Sequence, residues 1–288
     1  MTALHAAPAP QAAPMPRMTR ANAASGRIYF WQGGSLWIGR GKGRTEWHAH
    51  HAHQVALASG QSFRFRTERD GRWRPFAGAF VPSHCTHQFE LDDAEIAHLF
   101  VEPESRAGRA LAARFGSDAV AELPRDEGIA AAQGLFAAFG RAATREAMTQ
   151  AAAQAIAILC GSTTTEPDRS LDPRLARALD HMLAHLREPL ALGDVAAQVA
   201  LSEGRFRHLF VAQTGSSFRA YLLWLRINHA IEAVMAGATW TDAAHEAGFA
   251  DSAHLTRTHK RVFGIEPTAI RPLAAGMPST PATATGRR

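Results

Sequence analysis

The stretch "LGDVAAQVALSEGRFRHLFVAQTG" (residues 192–215) returns, loosely, as "WTDAAHEAGFADSAHLTRTHKRVFG" (residues 240–264). The two superpose with one extra residue in the turn of the second copy. Leu192 aligns with Trp240, Val195 with Ala243, Ala196 with Ala244 and Leu201 with Phe249. Beyond the turn, Phe206 aligns with Leu255, Phe210 with His259 and Gly215 with Gly264. Each copy reads as a short helix, a turn and a second helix, closed by a glycine suited to the left-handed position after a helix end. Between the copies, "SFRAYLLWLRINHAIEAVMAG" (217–237) carries Phe218, Tyr221, Leu222, Leu225, Ile231 and Val234 at helical spacing. It reads as one helix about 30 Å long.

The second helix of each copy has two unlike faces. In 202–214, Ser202 is a good N-cap, and Phe206, Leu209 and Phe210 fall at i, i+3 and i+4 as a packing stripe. Arg205, Arg207 and His208 project elsewhere, and Gly204 lets a groove wall come close. In the second copy Leu255, Val262 and Phe263 form the inner stripe, and His254, Arg257, Lys260 and Arg261 supply donors. A helix that enters a DNA major groove needs this division. One such helix is as easily a solvated surface; two matched copies weaken that alternative. Successive major-groove faces lie about 34 Å apart, close to the reach of the intervening helix. Net charge is +5 over 288 residues, yet residues 171–273 carry 11 Lys/Arg against 10 Asp/Glu. The case for DNA therefore rests on where the charges sit rather than on their sum.

These residues resemble the DNA-binding domain of AraC-type (AraC/XylS) transcriptional regulators over about 100 residues. The match includes the closing signature Gly248, Phe249, Phe263, Gly264, Pro267 and Arg271. The resemblance implies two helix-turn-helix units, at about 190–215 and 239–264, joined by a long helix. Its base-facing positions fall on Gly204, Arg207 and His208, then on Ser252, Ala253, His254, Thr256 and Arg257; Arg205 and Lys260 join them from the face analysis. The chain departs from the family at Leu255 and His259, where phenylalanine is usual. A buried, hydrogen-bonded histidine is the plain reading of His259.

Residues from about 27 to 102 read as β. "SFRFRT" alternates Phe63 and Phe65 with Arg64 and Arg66, as a half-buried strand should. "EWHAHHAHQV" (46–55) holds four histidines in six positions. If it is a strand, His48, His50 and Gln54 point one way, and Trp47, His51 and His53 the other. With "GAFVPSHCTHQFEL" (78–91), it resembles the two motifs of a cupin barrel. The resemblance carries the family's metal ligands onto His48, His50 and His87, with Gln54 in place of the acidic ligand and His84 in place of a turn glycine. Three imidazoles could hold a divalent transition metal such as Zn²⁺ or Fe²⁺, but an amide is a poorer ligand than a carboxylate. The favoured reading is an effector pocket lined by His48, His50, Gln54 and His87, requiring no cofactor. Cys85 reads as an inert thiol rather than a ligand.

The expected fold is α+β and multidomain: a disordered arm (1–24), a cupin-like effector-binding β-barrel (25–105), and a helical segment (106–160). A linker (161–170), an all-α double helix-turn-helix domain (171–273) and a disordered tail (274–288) follow. The Ala-rich helical segment, with Leu135, Phe136 and Phe139 on one face, is either packed on the barrel or a dimerisation element. Two cysteines, Cys85 and Cys160, with no framework spacing fit a reducing, cytoplasmic setting. The expectation is a non-enzymatic, one-component regulator whose partners are double-stranded DNA, a small-molecule effector and a second copy of the chain, with RNA polymerase added if it activates. Its rivals are a metal-dependent cupin enzyme and a metal-responsive regulator.

Overall fold

The computed structural model describes residues 22–161 and 171–272. The arm up to residue 21, the linker from residue 162 and the tail from residue 273 lie outside the described residues. β1 (Ala23–Trp31) starts two residues inside the stretch read as an arm.

The N-terminal half is built on β7 (Gln88–Val101), a strand of 14 residues. β2 (Gly34–Arg44) pairs along one edge of it, and β1 pairs with β2. The other edge of β7 is shared by β3 (His53–Ala58) and β4 (Phe63–Arg66). β5 (Arg74–Phe76) pairs with β4, β6 (Gly78–Val81) with β3, and β8 (Ala121–Glu122) with β6. All these pairs are antiparallel. The FRFR alternation holds: Phe63 and Phe65 are buried and Arg64 is exposed. The expected barrel is not a closed ring. The order runs β8-β6-β3-β7-β2-β1-β9, because the outer edge of β1 is taken by β9 (Ile270–Pro272), a parallel strand supplied by the far end of the chain.

Three helices follow the sheet: α1 (Arg106–Phe115), α2 (Arg125–Gly140) and α3 (Arg145–Cys160). Leu135, Phe139, Met148, Ile156 and Leu159 share a core with Leu36, Val55, Phe80 and Leu99 of the sheet. The helical pair is thus packed on the sheet, as one of the two sequence readings had it. A second apolar cluster, around Phe63, Phe65, Phe76 and Leu91, fills the space under β4 and β5.

The C-terminal half is helical: α4 (Pro173–Ala184), α5 (Leu192–Gln198), α6 (Glu203–Thr214), α7 (Phe218–Met235), α8 (Trp240–Glu246) and α9 (Ser252–Phe263). The repeat is real in three dimensions. Val195, Ala196, Phe206 and Phe210 are fully buried, and so are their counterparts Ala243, Ala244, Leu255 and His259. Ser202 and Asp251 cap α6 and α9, and Gly215 and Gly264 end them in the left-handed conformation. α7 is one helix of 18 residues, about 27 Å long.

The two halves share a core. Ala52 and Phe100 of the sheet domain belong to the same apolar cluster as Tyr221, Trp224 and Phe263. The Trp37 ring lies 4.7 Å from that of Phe263, and the Glu46 N–H donates to the Gly264 carbonyl at 2.7 Å.

The matched turns carry opposite choices at one left-handed position. Ala200 sits there at φ 55 in the first unit, and Gly248 at φ 74 in the second. A Cβ on Gly248 would overlap the Leu186 carbonyl oxygen. Left-handed backbone costs an L-residue roughly 1–2 kcal/mol before any clash. Gly248→Ala is therefore expected to lower stability by about 2 kcal/mol or more, and Ala200→Gly to leave it unchanged or raise it by up to about 1 kcal/mol. Urea unfolding of the two variants, monitored by helix signal, measures both.

Candidate sensor site and DNA-reading surface

The histidine run folds differently from the strand assumed for it, yet sorts as alternation predicts. Only His53 onward is strand; residues 46–52 form a loop tied by an isolated bridge between His48 and His87. The rings of His48 and His87 lie 4.1 Å apart, and those of His50 and His87 5.4 Å apart. One nitrogen from each of His48, His50 and His87 falls within 4.8 Å of the others. All three are buried.

Backbone carbonyls orient these rings. His48 Nδ1 lies 2.9 Å from Glu46 O, His50 Nδ1 2.7 Å from Ala52 O, and His87 Nδ1 2.9 Å from Cys85 O. Since a carbonyl only accepts, each Nδ1 carries the proton and each Nε2 keeps its lone pair. His87 Nε2 is buried without a partner. Gln54 bridges His50 Nε2 and His98 Nδ1, at 2.9 Å each. Gln54 Oε1 faces His50 and its Nε2 faces His98; with the His50 proton on Nδ1, the reverse orientation of the amide satisfies His50 Nε2.

Burial keeps this group uncharged. It pulls His48 and His98 down to about 3 and His50 to about 4, with neighbouring histidines adding to the effect, and it lowers His87 well below the ordinary imidazole range. Neutral imidazole is the form that binds metal or accepts a hydrogen bond. Cys85 is half-buried, and burial raises its thiol.

His48, Gln54 and His98 line a cavity of about 150 Å³ together with the apolar Trp37, Phe100 and Phe263 and with Arg27, Arg40 and Lys42 of β1 and β2. A cavity of that volume accommodates a benzene-sized molecule. Phe263 belongs to α9, so the cavity is closed in part by the helical domain. His50 opens instead on a second cleft, and His87 lines neither.

The residues on the opposite face of the run do something that sequence reasoning did not foresee. His51 Nε2 lies 3.0 Å from Glu104 Oε2, and its Nδ1 lies 2.9 Å from Ser216 Oγ. Ser216 Oγ also meets His84 Nε2 at 2.8 Å, and the Tyr221 hydroxyl donates to Glu104 Oε1 at 2.6 Å. Burial alone would raise the Glu104 carboxyl, but the bonds from His51 and Tyr221 outweigh it and hold it below its ordinary value. The order serine–histidine–carboxylate is that of a hydrolytic triad. Here, however, the hydroxyl is buried and gripped by a second imidazole, so it fastens α7 to the sheet domain. Tyr221 could be read only as a core position of a helix, and no local pattern marks Glu104.

On the reading surface, Gly204, Arg205, Arg207 and His208 all lie exposed along α6. Ser252, Ala253 and Arg257 are exposed on α9, and His254 and Thr256 are half-buried beside them. Arg207 pairs with Glu203 one turn back. Lys260 stands apart: its ammonium lies 2.9 Å from Glu46 of the sheet domain and 3.1 Å from Glu266. His259 is fully buried, with Nδ1 2.9 Å from Ile265 O. Burial lowers it to about 4, so it serves as a neutral core residue.

Several comparisons with known proteins fall on this same half of the chain. A family model described as a helix-turn-helix domain matches residues 195–272. The regulatory protein PocR of Salmonella typhimurium is 30% identical over 110 residues, 38% of this chain and 36% of PocR. The HTH-type transcriptional regulator YidL of Escherichia coli, named as uncharacterized, is 27% identical over 124 residues, 43% of this chain and 41% of YidL. A solved transcriptional regulator from Chromobacterium violaceum, described as containing an AraC-type DNA-binding domain, is 29% identical. That match covers 33% of this chain and 87% of the other, at a TM-score of 0.32. The C-terminal domain is a helix-turn-helix domain. The chain spans well under half the length of the curated relatives it matches, and among the described residues no helix is long and apolar enough to cross a membrane.

Proposed function

We propose that this chain is a one-component transcriptional regulator that binds double-stranded DNA through α6 and α9 and senses a small molecule in its N-terminal domain. The observation that carries the reading is the pair of matched, polar-faced helices at the two ends of α7. In this reading Gly204, Arg205, Arg207 and His208 enter one major groove. Ser252, Ala253, His254, Thr256 and Arg257 enter the next, and Lys260 reaches a phosphate once it exchanges Glu46 for DNA.

The effector meets His48 and Gln54, with His50 and His87 behind them. Neutral His48 and Gln54 and the apolar Trp37, Phe100 and Phe263, with Arg27, Arg40 and Lys42 also in the lining, suit a small, largely apolar molecule with one polar or anionic end. Because Phe263 closes the cavity, such a ligand distinguishes the docked from the undocked arrangement. Its effect on DNA affinity is bounded by that difference. The outer faces of α2 and α3 expose Ile129, Ala130, Gln133, Ala137, Ala157 and Ile158 without a charge among them, which suits pairing with a second copy. No catalytic role is assigned to any residue.

Binding to duplexes selected by the purified protein tests this reading. Affinity should fall steeply between about 50 and 200 mM salt. Arg207→Ala and Arg257→Ala should each cost about 1–3 kcal/mol, and each at its own sub-site. A flat salt response removes the DNA reading. Equal loss on every sequence reduces the two arginines to phosphate contacts.

A second reading, a metal-responsive regulator, is favoured by one observation: three neutral imidazoles, each oriented from Nδ1 by a carbonyl, with His87 Nε2 buried and unpartnered. That is the outer-shell pattern of histidine metal ligands, and the donor set fits a borderline divalent ion. His48, His50 and His87 would hold it, with Gln54 turned toward His98. Protein purified without an affinity tag should then carry one transition ion per chain, and His87→Ala should abolish it. Sub-stoichiometric metal with intact DNA binding leaves the site to an organic effector.

A further inference from the structure

A second cleft, of about 620 Å³, runs between the sheet domain and the helical domain, and nothing above assigns it a role. Its lining brings together three arginines from three separate elements: Arg69 from the loop after β4, Arg219 from the first turn of α7, and Arg261 from α9. Its other titratable lining groups are His48, His50, His51 and His84; no aspartate or glutamate lines it. None of the three guanidinium groups forms an ion pair among the described residues, although Arg69 lies over the Trp47 ring at 5.7 Å. Elsewhere the chain pairs its arginines readily, as with Arg40–Asp93, Arg44–Glu90, Arg114–Glu127 and Arg174–Asp172. The cavity beside His98 is also lined by three cations, Arg27, Arg40 and Lys42, and by no carboxylate, but there Arg40 is tied to Asp93, whereas no guanidinium of the cleft has such a partner among the described residues.

One further feature aims the cleft at a negatively charged group. Ser217, the N-cap of the 18-residue α7, lines it, so the positive end of that helix faces the recess. The remaining walls are apolar: Trp47, Leu223, Trp224 and Val262. Guanidinium groups recognise planar and tetrahedral oxyanions by paired hydrogen bonds, and apolar walls beside them suit an organic body rather than a bare ion.

We propose that this cleft is a binding site for a small organic oxyanion, a carboxylate or phosphate, whose charge is shared by Arg69 of the sheet domain and Arg219 and Arg261 of the helical domain. It shares His48, and no other lining residue, with the cavity of Gln54 and His98, and it stands whether or not the DNA reading does. Because the arginines come from both domains, a bound anion bridges them and stabilises their docked arrangement. By linkage, DNA and anion then alter each other's affinity by one common factor.

The test uses the full chain without DNA. Inorganic phosphate and citrate are titrated by calorimetry at ionic strength held constant with sodium chloride. The expected result is one saturable site per chain for at least one probe, weakened tenfold or more by Arg69→Ala and by Arg261→Ala alike. Arg125→Ala, at the exposed start of α2 and outside the lining of the cleft, should leave it unchanged. Arg69→Gln gives a second, bulkier replacement, and an unaltered far-UV spectrum establishes that each variant is folded. The proposal is overturned if neither probe saturates, if Arg125→Ala weakens binding as much as the cleft variants do, or if Arg69→Ala has no effect. It is also overturned if neither probe binds while Arg69→Ala reduces the salt slope of duplex binding, since the anion served would then be the phosphodiester of DNA.

Discussion

One buried carboxylate constrains much of this molecule. Glu104, at the end of the sheet domain, is 4% exposed, and a carboxylate removed from water is tolerable only when its oxygens are fully hydrogen-bonded. Its two partners come from opposite sides. His51 belongs to the histidine run of the sheet domain and Tyr221 to α7. Satisfying Glu104 therefore fixes α7 against the sheet. Because α7 carries a helix-turn-helix unit at each end, fixing it also fixes where α6 and α9 can point. Ser216, one residue before the α7 cap, is clasped by His51 and His84 and secures the same junction.

The sensor site and this junction are built from alternate residues of the same short segments. His48 faces the cavity while Glu46 holds the end of α9, through Lys260 and the Gly264 carbonyl. His50 joins the imidazole cluster while His51 holds Glu104. His87 joins the cluster while His84 holds Ser216. Gly264 sits so close to this wall that a Cβ there would meet Glu46 O and His48 Nδ1 at 2.6 Å each. Close-packed groups have no slack, so the imidazole cluster and the end of α9 constrain one another directly.

Much of the helical half was legible because its signals are local. Helical periodicity, side-chain caps and left-handed glycines declare themselves within a few residues, and the internal repeat doubled each of them. The grouping of His48, His50 and His87 was also legible, although the run is a loop up to Ala52; alternation survives in an extended loop as it does in a strand. What stayed hidden depends on distant partners. Nothing in "IRP" announces that β9 will cap β1 and leave the sheet open. Nothing around Glu104 marks it as the shared acceptor of His51 and Tyr221, which lie 53 and 117 residues away. Lys260 looked like another donor for DNA because its partner, Glu46, belongs to the other half of the chain. Arg261 looked the same, and its place in the interdomain cleft emerges only once the halves are docked.

The account stands on α6 and α9 reaching one face of one duplex together, held apart by a rigid α7. The most direct measurement is affinity for a selected site into which five base pairs, about half a helical turn, are inserted between the two recognised sub-sites. Rotating one sub-site to the far side of the duplex should reduce affinity to that of a duplex keeping a single sub-site. Undiminished affinity for the inserted site would contradict the account, because the two helices would then be reading DNA independently of α7.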